Sequence, residues 1–232
     1  MLTIYGYDIF SYSIAYGLRS CRALLLKVFV VAGLGTVVST FCAGLAGYTL
    51  SRYHKLRSVS NYSRGLMLVQ MSPLILALIP LFIIFKNAGL VNTYWSVILI
   101  YTVLNLPFAT WMFEGFFDAI PREVEEAAFV DGCTRLGTFR RIVLPLSGPG
   151  TAAVTIFTFL LCYNEFLIAS IFLRDPDTMT IPVGIQMFMQ QYSTDWGSLI
   201  AAACLASIPT IIFFLFVQKY MVQGVVAGAV KG

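Results

Sequence analysis

The sequence has 232 residues, 59% hydrophobic and 11% charged, with a mean hydropathy of +0.83 and a formal net charge of +4. Soluble domains are roughly a quarter charged, so this chain cannot cover a water-facing surface and is read as an all-α, polytopic membrane helical bundle. No basic helix interleaved with aromatics points to nucleic acid, and the five scattered cysteines lack metal-ligand spacing and argue against a disulfide framework.

Residues 1–23 are mixed in character. Tyr5, Tyr7, Phe10, Tyr12 and Tyr16 alternate with polar residues, and Asp8 and Arg19 interrupt any candidate span. No basic region or small-residue cleavage site marks a signal peptide. The stretch is expected to be an extracytoplasmic or interfacial segment ahead of a transmembrane domain covering 24–232. Five spans are predicted there, at about 24–50, 66–85, 94–113, 152–172 and 197–218, each close to the roughly 20 residues that cross the hydrocarbon. The first is rich in small residues (Gly33, Gly35, Gly44, Gly47), which reads as a helix-packing face. The second contains Gln70, Pro73 and Pro80, and the third Asn105 and Pro107. These prolines predict either simple kinks or the wall of a cavity. Trp95 and Trp196 fall at predicted outer boundaries, where aromatic belts form.

Between the third and fourth spans lies a charged loop, about 118–145. Pro121 suits the first position of a short helix, Glu123, Glu125 and Glu126 sit near its positive end, and Gly132 suits its stop. A second short helix is predicted from Thr134 to Val143, ended by Pro145. A helical hairpin tethered at both ends to membrane spans suits docking of a soluble partner. Its three glutamates oppose the alternative, a loop resting on anionic headgroups.

The fourth span carries Cys162-Tyr163-Asn164-Glu165-Phe166. A carboxylate at that depth normally faces a partner or a water-filled path. Asn164 and Glu165 therefore either line a translocation pathway or make structural hydrogen bonds to a neighbouring span. An outside loop from Asp175 to Trp196 follows, including Tyr192 and Asp195. Loops holding Arg52, Lys55, Arg57, Arg64, Arg122, Arg135, Arg140, Arg141, Lys219 and Lys231 carry ten of the fifteen Lys and Arg residues. The positive-inside rule places them, the hairpin and the C-terminus in the cytoplasm.

The run Glu126-Ala127-Ala128, two residues, Asp131-Gly132, six residues to Phe139, then Ile142, Leu144 and Pro145 closely resembles the cytoplasmic coupling loop of ATP-binding-cassette (ABC) importer permeases. Cys133 departs from it, standing where a small alanine is usual, and Tyr163 stands where Trp-Asn-Glu-Phe is frequent. The middle of the outside loop, Ile181-Pro182-Val183-Gly184-Ile185, and the C-terminal Gly228-Ala229-Val230-Lys231-Gly232 resemble the carbohydrate branch, that of maltose, trehalose and glycerol-phosphate permeases with a G-type subunit. The resemblance spans essentially Ala23 to Gly232. It implies a type I importer transmembrane domain in the bacterial cytoplasmic membrane, moving a sugar or related polyol. It implies a second homologous permease, an ATPase dimer that binds ATP and magnesium in place of this chain, and an extracytoplasmic binding protein that the outside loop would contact. Glu126, Ala127, Ala128, Asp131, Gly132, Phe139 and Pro145 would couple to the ATPase. Gln70, Asn105, Asn164 and Glu165 are candidates for the substrate pathway. The family has a further span ahead of the segment equivalent to 24–50, so the first family span is expected to be missing here, the alternative being a distorted partial span over Ile4–Leu18.

No Gly-rich phosphate loop, metal cluster or nucleophile–histidine–acid set accompanies these features, and the single histidine, His54, lies in a basic loop. The chain is therefore expected not to be an enzyme. A rival class, an ion-gradient-driven secondary transporter or channel subunit, would need intramembrane ionisable groups, and Glu165 is the one deep candidate. A subunit that serves assembly without transporting is a third class.

Overall fold

The computed structural model describes the backbone of residues 2–186, 189 and 196–229, and the side chains of 24–186, 189 and 196–218 other than 198 and 217. Tyr192, Asp195, residues 230–232 and the side chains of Lys219, the N-terminal tyrosines, Asp8 and Arg19 lie outside that description. Ten helices are described: α1 (Leu2–Tyr53), α2 (Arg57–Met71), α3 (Leu74–Asn87), α4 (Tyr94–Asp118), α5 (Arg122–Val130), α6 (Arg135–Leu146), α7 (Gly148–Tyr163), α8 (Leu167–Phe172), α9 (Ile181–Gln186) and α10 (Trp196–Ala229). Segments Leu24–Tyr53, Tyr94–Asp118 and Leu199–Phe216 are each long and apolar enough to cross a membrane, and two bent pairs, α2 with α3 and α6 with α7, raise the number to as many as five. The backbone of α1 is helical back to Leu2, so residues 2–23 continue the first span's helix.

Two expected spans are broken rather than continuous. The segment predicted over 66–85 turns by 95° between α2 and α3. Pro73 is the cause, because a proline pushes the preceding residue out of the helical region, and Ser72 sits at φ −70°, ψ 132°. The segment predicted over 152–172 begins earlier, at Gly148, and breaks after Tyr163. Pro80, Pro107 and Pro209, in contrast, lie inside continuous helices.

The bundle is organised around the crossing of α1 and α4. A Cβ on Gly47 would lie 2.7 Å from Phe113 Cβ and 2.9 Å from the Thr110 carbonyl oxygen, so only glycine permits this approach. Gly35 faces Tyr101 and Gly44 the Phe113 ring, while nothing lies within 4 Å of a Cβ on Gly33. The glycine face is thus a packing face at three of its four positions. Two apolar clusters lie along this crossing. One gathers Val28, Val31, Tyr101, Phe159, Tyr163 and Phe172. The other gathers Ala43, Phe113, Phe117, Phe139, Val143 and Val154, nearer the hairpin. Away from the crossing, Val37, Phe41, Ile75, Leu76 and Ile79 are well exposed, the pattern of a surface whose solvent is lipid or another apolar chain. In the loop that follows α8, α9 is packed rather than free. Ile181 and Val183 are buried, and Gly184 sits tightly against the Leu24 side chain.

Candidate functional site

The charged loop folds as the hairpin its residues predict. Pro121 precedes α5, whose first turn holds Glu123 and Glu125. Gly132, at φ +84°, closes it in the left-handed conformation. Gly132 N–H donates to the Phe129 carbonyl (3.1 Å) and Cys133 N–H to the Ala128 carbonyl (2.9 Å), which together satisfy the carbonyls a helix end leaves open. Thr134 caps α6, its hydroxyl oxygen accepting from Gly137 N–H at 3.2 Å. One expectation is corrected here: Pro145 does not end the second helix, which runs to Leu146. A wider π-type turn over Phe139–Val143, closed by Leu144 N–H on the Phe139 carbonyl, absorbs a residue that has no N–H to give. The chain bends by 81° only at the junction with α7.

The hairpin is held by three consecutive residues in the last turn of α1. The Ser51 carbonyl accepts from Arg122 Nη2 (3.2 Å), at the start of α5. Arg52 Nε donates to Glu125 Oε1 at 2.6 Å, with the two side chains 8% and 6% exposed. The Tyr53 hydroxyl accepts from Arg135 Nη1 (2.6 Å), which also lies over the Tyr53 ring at 5.5 Å. Arg52 also donates to the Phe117 and Ile120 carbonyls at the end of α4 (3.0 and 3.2 Å) and to Ser51 Oγ (2.8 Å). Ser51 Oγ in turn donates to Asp118 Oδ1 at 2.5 Å. The second oxygen of Glu125 accepts from the Tyr48 hydroxyl at 2.7 Å. The Tyr48 ring packs on Phe139 (centroids 4.8 Å apart) and edge-on to Phe117. One guanidinium thus joins α1, α4 and α5, and the carbonyls it meets are the negative end of a helix.

The seven residues expected to couple to an ATPase divide into two groups. Ala128 and Phe139 are buried, and they fasten the hairpin to the bundle. Glu126, Ala127, Asp131, Gly132 and Pro145 are exposed. Beside them stand Val130 (88% exposed) and Leu136 (69%), the most exposed of the hairpin's large apolar side chains. Asp131, Gly132, Leu136, Gly137, Arg140 and Arg141, with Cys133 and Thr134, line one open concavity. Such a surface, anionic at Glu126 and apolar at Val130 and Leu136, can seat a soluble protein. Sequence reasoning missed Glu125, Arg52, Tyr48 and Ser51. The one local signal was the doubled glutamate at 125 and 126, whose members face in different directions.

The pathway candidates also separate. Glu165 lies at the break between α7 and α8. Its Oε1 accepts from Ile168 N–H (2.8 Å), and its Oε2 from Ala169 N–H (3.1 Å) and from the Tyr101 hydroxyl on α4 (2.9 Å). The carboxylate takes the place of the carbonyls that the first N–H groups of α8 would otherwise lack. Asn105 joins this group through Nδ2, which donates to the Tyr101 carbonyl (2.8 Å) and Cys162 Sγ (3.3 Å). Asn164, next to Glu165, is exposed; it donates to the Leu160 carbonyl and receives the Thr210 hydroxyl of α10 at 3.4 Å. Gln70 is elsewhere, in an apolar pocket of about 140 Å³ with Leu50, Met67, Phe108, Trp111 and Glu114. Among the described residues no group of His, Cys, Asp and Glu could hold a metal ion.

Residues 24–226 match the family described as binding-protein-dependent transport system inner membrane component. The chain is 39% identical over 220 residues to the probable ABC transporter permease protein YurM of Bacillus subtilis, covering 92% of this chain and 71% of that protein. It is 36% identical over 222 residues to the sulfoquinovosyl glycerol transport system permease protein SmoH of Agrobacterium fabrum, covering 96% and 78%. It is 34% identical over 218 residues to the trehalose/maltose transport system permease protein MalG of Thermococcus litoralis, covering 90% and 76%. The fold is similar, at a TM-score of 0.74 and 20% identity over 90% of this chain and 78% of the other, to a chain in the crystal structure of a bacterial ABC transporter involved in the import of the acidic polysaccharide alginate. The chain belongs to the binding-protein-dependent transport system inner membrane component family, as an ABC importer permease with the type I transmembrane fold and MalG-type relatives.

Proposed function

We propose that this chain moves a sugar or related polyol inward across the cytoplasmic membrane, coupled through the α5–α6 hairpin to ATP hydrolysis in partner subunits. The observation that carries this is the hairpin itself. It is anchored by Arg52 to the ends of α1 and α4, yet it turns Glu126, Val130 and Leu136 outward. The names of the relatives, among them sugar permeases, support the substrate class. Polar groups at Asn105, Asn164 and Thr210 suit a hydroxylated solute.

In this reading the hairpin and C-terminus face the cytoplasm, and α5 seats in a cleft of an ATPase subunit. Glu126 pairs there with a cationic side chain, for which an arginine fork is the natural match. Closure of the ATPase dimer on ATP moves α5, and α1 and α4 move with it because Arg52 binds all three. A second homologous permease completes the pathway, and an extracytoplasmic protein delivers the substrate. The partner ATPase holds ATP and magnesium. The ion-coupled alternative loses weight because both oxygens of Glu165 are already occupied by N–H and hydroxyl donors.

The test is a tagged chain taken from native membranes in mild detergent, with every companion identified by mass spectrometry. An ATPase and a second permease are expected. Recovery of the chain alone, or only with copies of itself, would overturn the proposal. Uptake that survives loss of ATP but stops when ion gradients are dissipated would favour the rival class.

A further inference from the structure

We infer that Glu125, the carboxylate preceding the family's coupling glutamate, is a positioning residue that makes α5 move as one body with α1 and α4. Three observations carry this. The Glu125 side chain is buried and bonded through both oxygens, to Arg52 and to Tyr48, so it has no face left for a partner. Arg52 spends its remaining donors on the Phe117 and Ile120 carbonyls and on Ser51, so the cation that holds α5 also holds the end of α4. The chain between α4 and α5, Ala119 to Pro121, is only three residues long, and its Ile120 packs on the α4 side, against the cluster that includes Phe113 and Phe117. A short linker alone leaves the angle of α5 free; a buried fork bonded to three elements fixes it.

Two adjacent glutamates therefore divide the work. Glu126 faces outward to the partner, and Glu125 faces inward to the lever's mounting. Glu125 carries a displacement applied at Glu126 to both α1 and α4 through the Arg52 pair, beside the Arg122 bond to Ser51 and the buried Ala128. Without it, α5 keeps only those weaker fastenings and follows its partner with α1 and α4 lagging. This inference rests on the reading of α5 as the ATPase docking site, but its central measurement does not.

The experiment uses the complex purified in lipid nanodiscs, with the five native cysteines of this chain replaced by alanine. Spin labels are placed on cysteines at Glu123, exposed on α5 and not among the residues assigned to docking, and at Trp95, exposed at the start of α4, and the distribution of distances between them is recorded. The unaltered Glu125 background is expected to give one narrow distance, the same with and without ATP and vanadate. Glu125→Ala is expected to broaden the distribution about twofold, as a locally released helix samples more orientations, while the ATPase still co-purifies. Glu125→Gln, which keeps an acceptor but not the charge, is expected to fall between. Glu126→Ala is expected to leave the width unchanged and to reduce the ATPase recovered.

An unchanged width in an inserted Glu125→Ala chain would overturn the inference. So would a broad distribution with Glu125 intact, or, where Glu125→Ala fails to insert, an unchanged width in Glu125→Gln. Failure of the docking reading looks different: no ATPase is recovered with the unaltered chain, and Glu126→Ala changes nothing, while the width comparison stands.

Discussion

Two buried or half-buried carboxylates, Glu125 at the hairpin and Glu165 within the fourth apolar segment, show how the same side chain does two jobs. Glu125 meets a guanidinium at 2.6 Å and a phenol. Glu165 meets only neutral donors, two backbone N–H groups at the start of α8 and the Tyr101 hydroxyl. The first arrangement suits the membrane edge, where a full ion pair can be assembled from charged loops. The second suits the interior, where backbone N–H groups freed by a broken helix are the cheapest compensation for a charge. In both places the anchor has a neighbour turned the other way, Glu126 beside Glu125 and Asn164 beside Glu165. The lesson is that the exposed member of each pair is the one available to a partner or a solute, and the buried member sets its position.

The comparison can be broken most sharply at its ends. Glu126→Lys is expected to abolish uptake, a drop of at least about a hundredfold for reversing a charge in a docked contact, while the chain still inserts. Normal uptake would show that the exposed member is idle. Gly132→Pro should have a similar effect on uptake by a different route. Proline cannot adopt φ +84° and removes the N–H that bonds to Phe129, so the hairpin loses its turn; uptake and hairpin proteolysis would report it together.

Stability separates the buried members. Glu125→Ala leaves Arg52 buried with no counter-charge, and breaking such a pair costs about 3–5 kcal/mol. Glu165→Ala strands two N–H groups, while the Tyr101 hydroxyl keeps the carbonyl of residue 165 (3.4 Å). At this half-buried break water replaces part of the loss, so the total is expected at about 1–3 kcal/mol, that of one fully buried group, with no charge left unpaired. Thermal unfolding in detergent, followed by tryptophan fluorescence, should rank Glu125→Ala below Glu165→Ala. The reverse order would mean that the intramembrane cap, not the ion pair, is the stronger fastening. Gly47→Ala calibrates the scale, since a methyl group 2.7 Å from Phe113 Cβ must push α1 from α4, for about 1–3 kcal/mol. The smallest effect is expected for Asn164→Ala. Its exposed side chain should shift stability by no more than about 0.5 kcal/mol, so a loss of uptake at unchanged unfolding temperature would assign it to the pathway.

Much of this protein was legible before any tertiary structure. Composition alone dictates a membrane bundle, and the hairpin's bounds follow from Pro121, Gly132 and Thr134, because helix caps depend on dihedral angles and on partners within a few residues. The small-residue face of α1 was legible as packing, though not which of its glycines touches α4. The breaks at Ser72 and at Asn164 were not anticipated. Pro73 looks in sequence like Pro80 and Pro107, which interrupt nothing, and Glu165 becomes a cap only once Tyr101 is beside it. Phe139 was legible as part of a motif but not as a core residue. Least legible was the bond between Arg52 and Glu125, 73 positions apart, which exists only because the ends of α1 and α4 meet the start of α5. What the sequence by itself determined is the set of segments and their local starts and stops, since these are short-range properties of the backbone. Which glutamate faces in and which faces out, and hence which one can be reached by a partner, was decided only by how the helices pack.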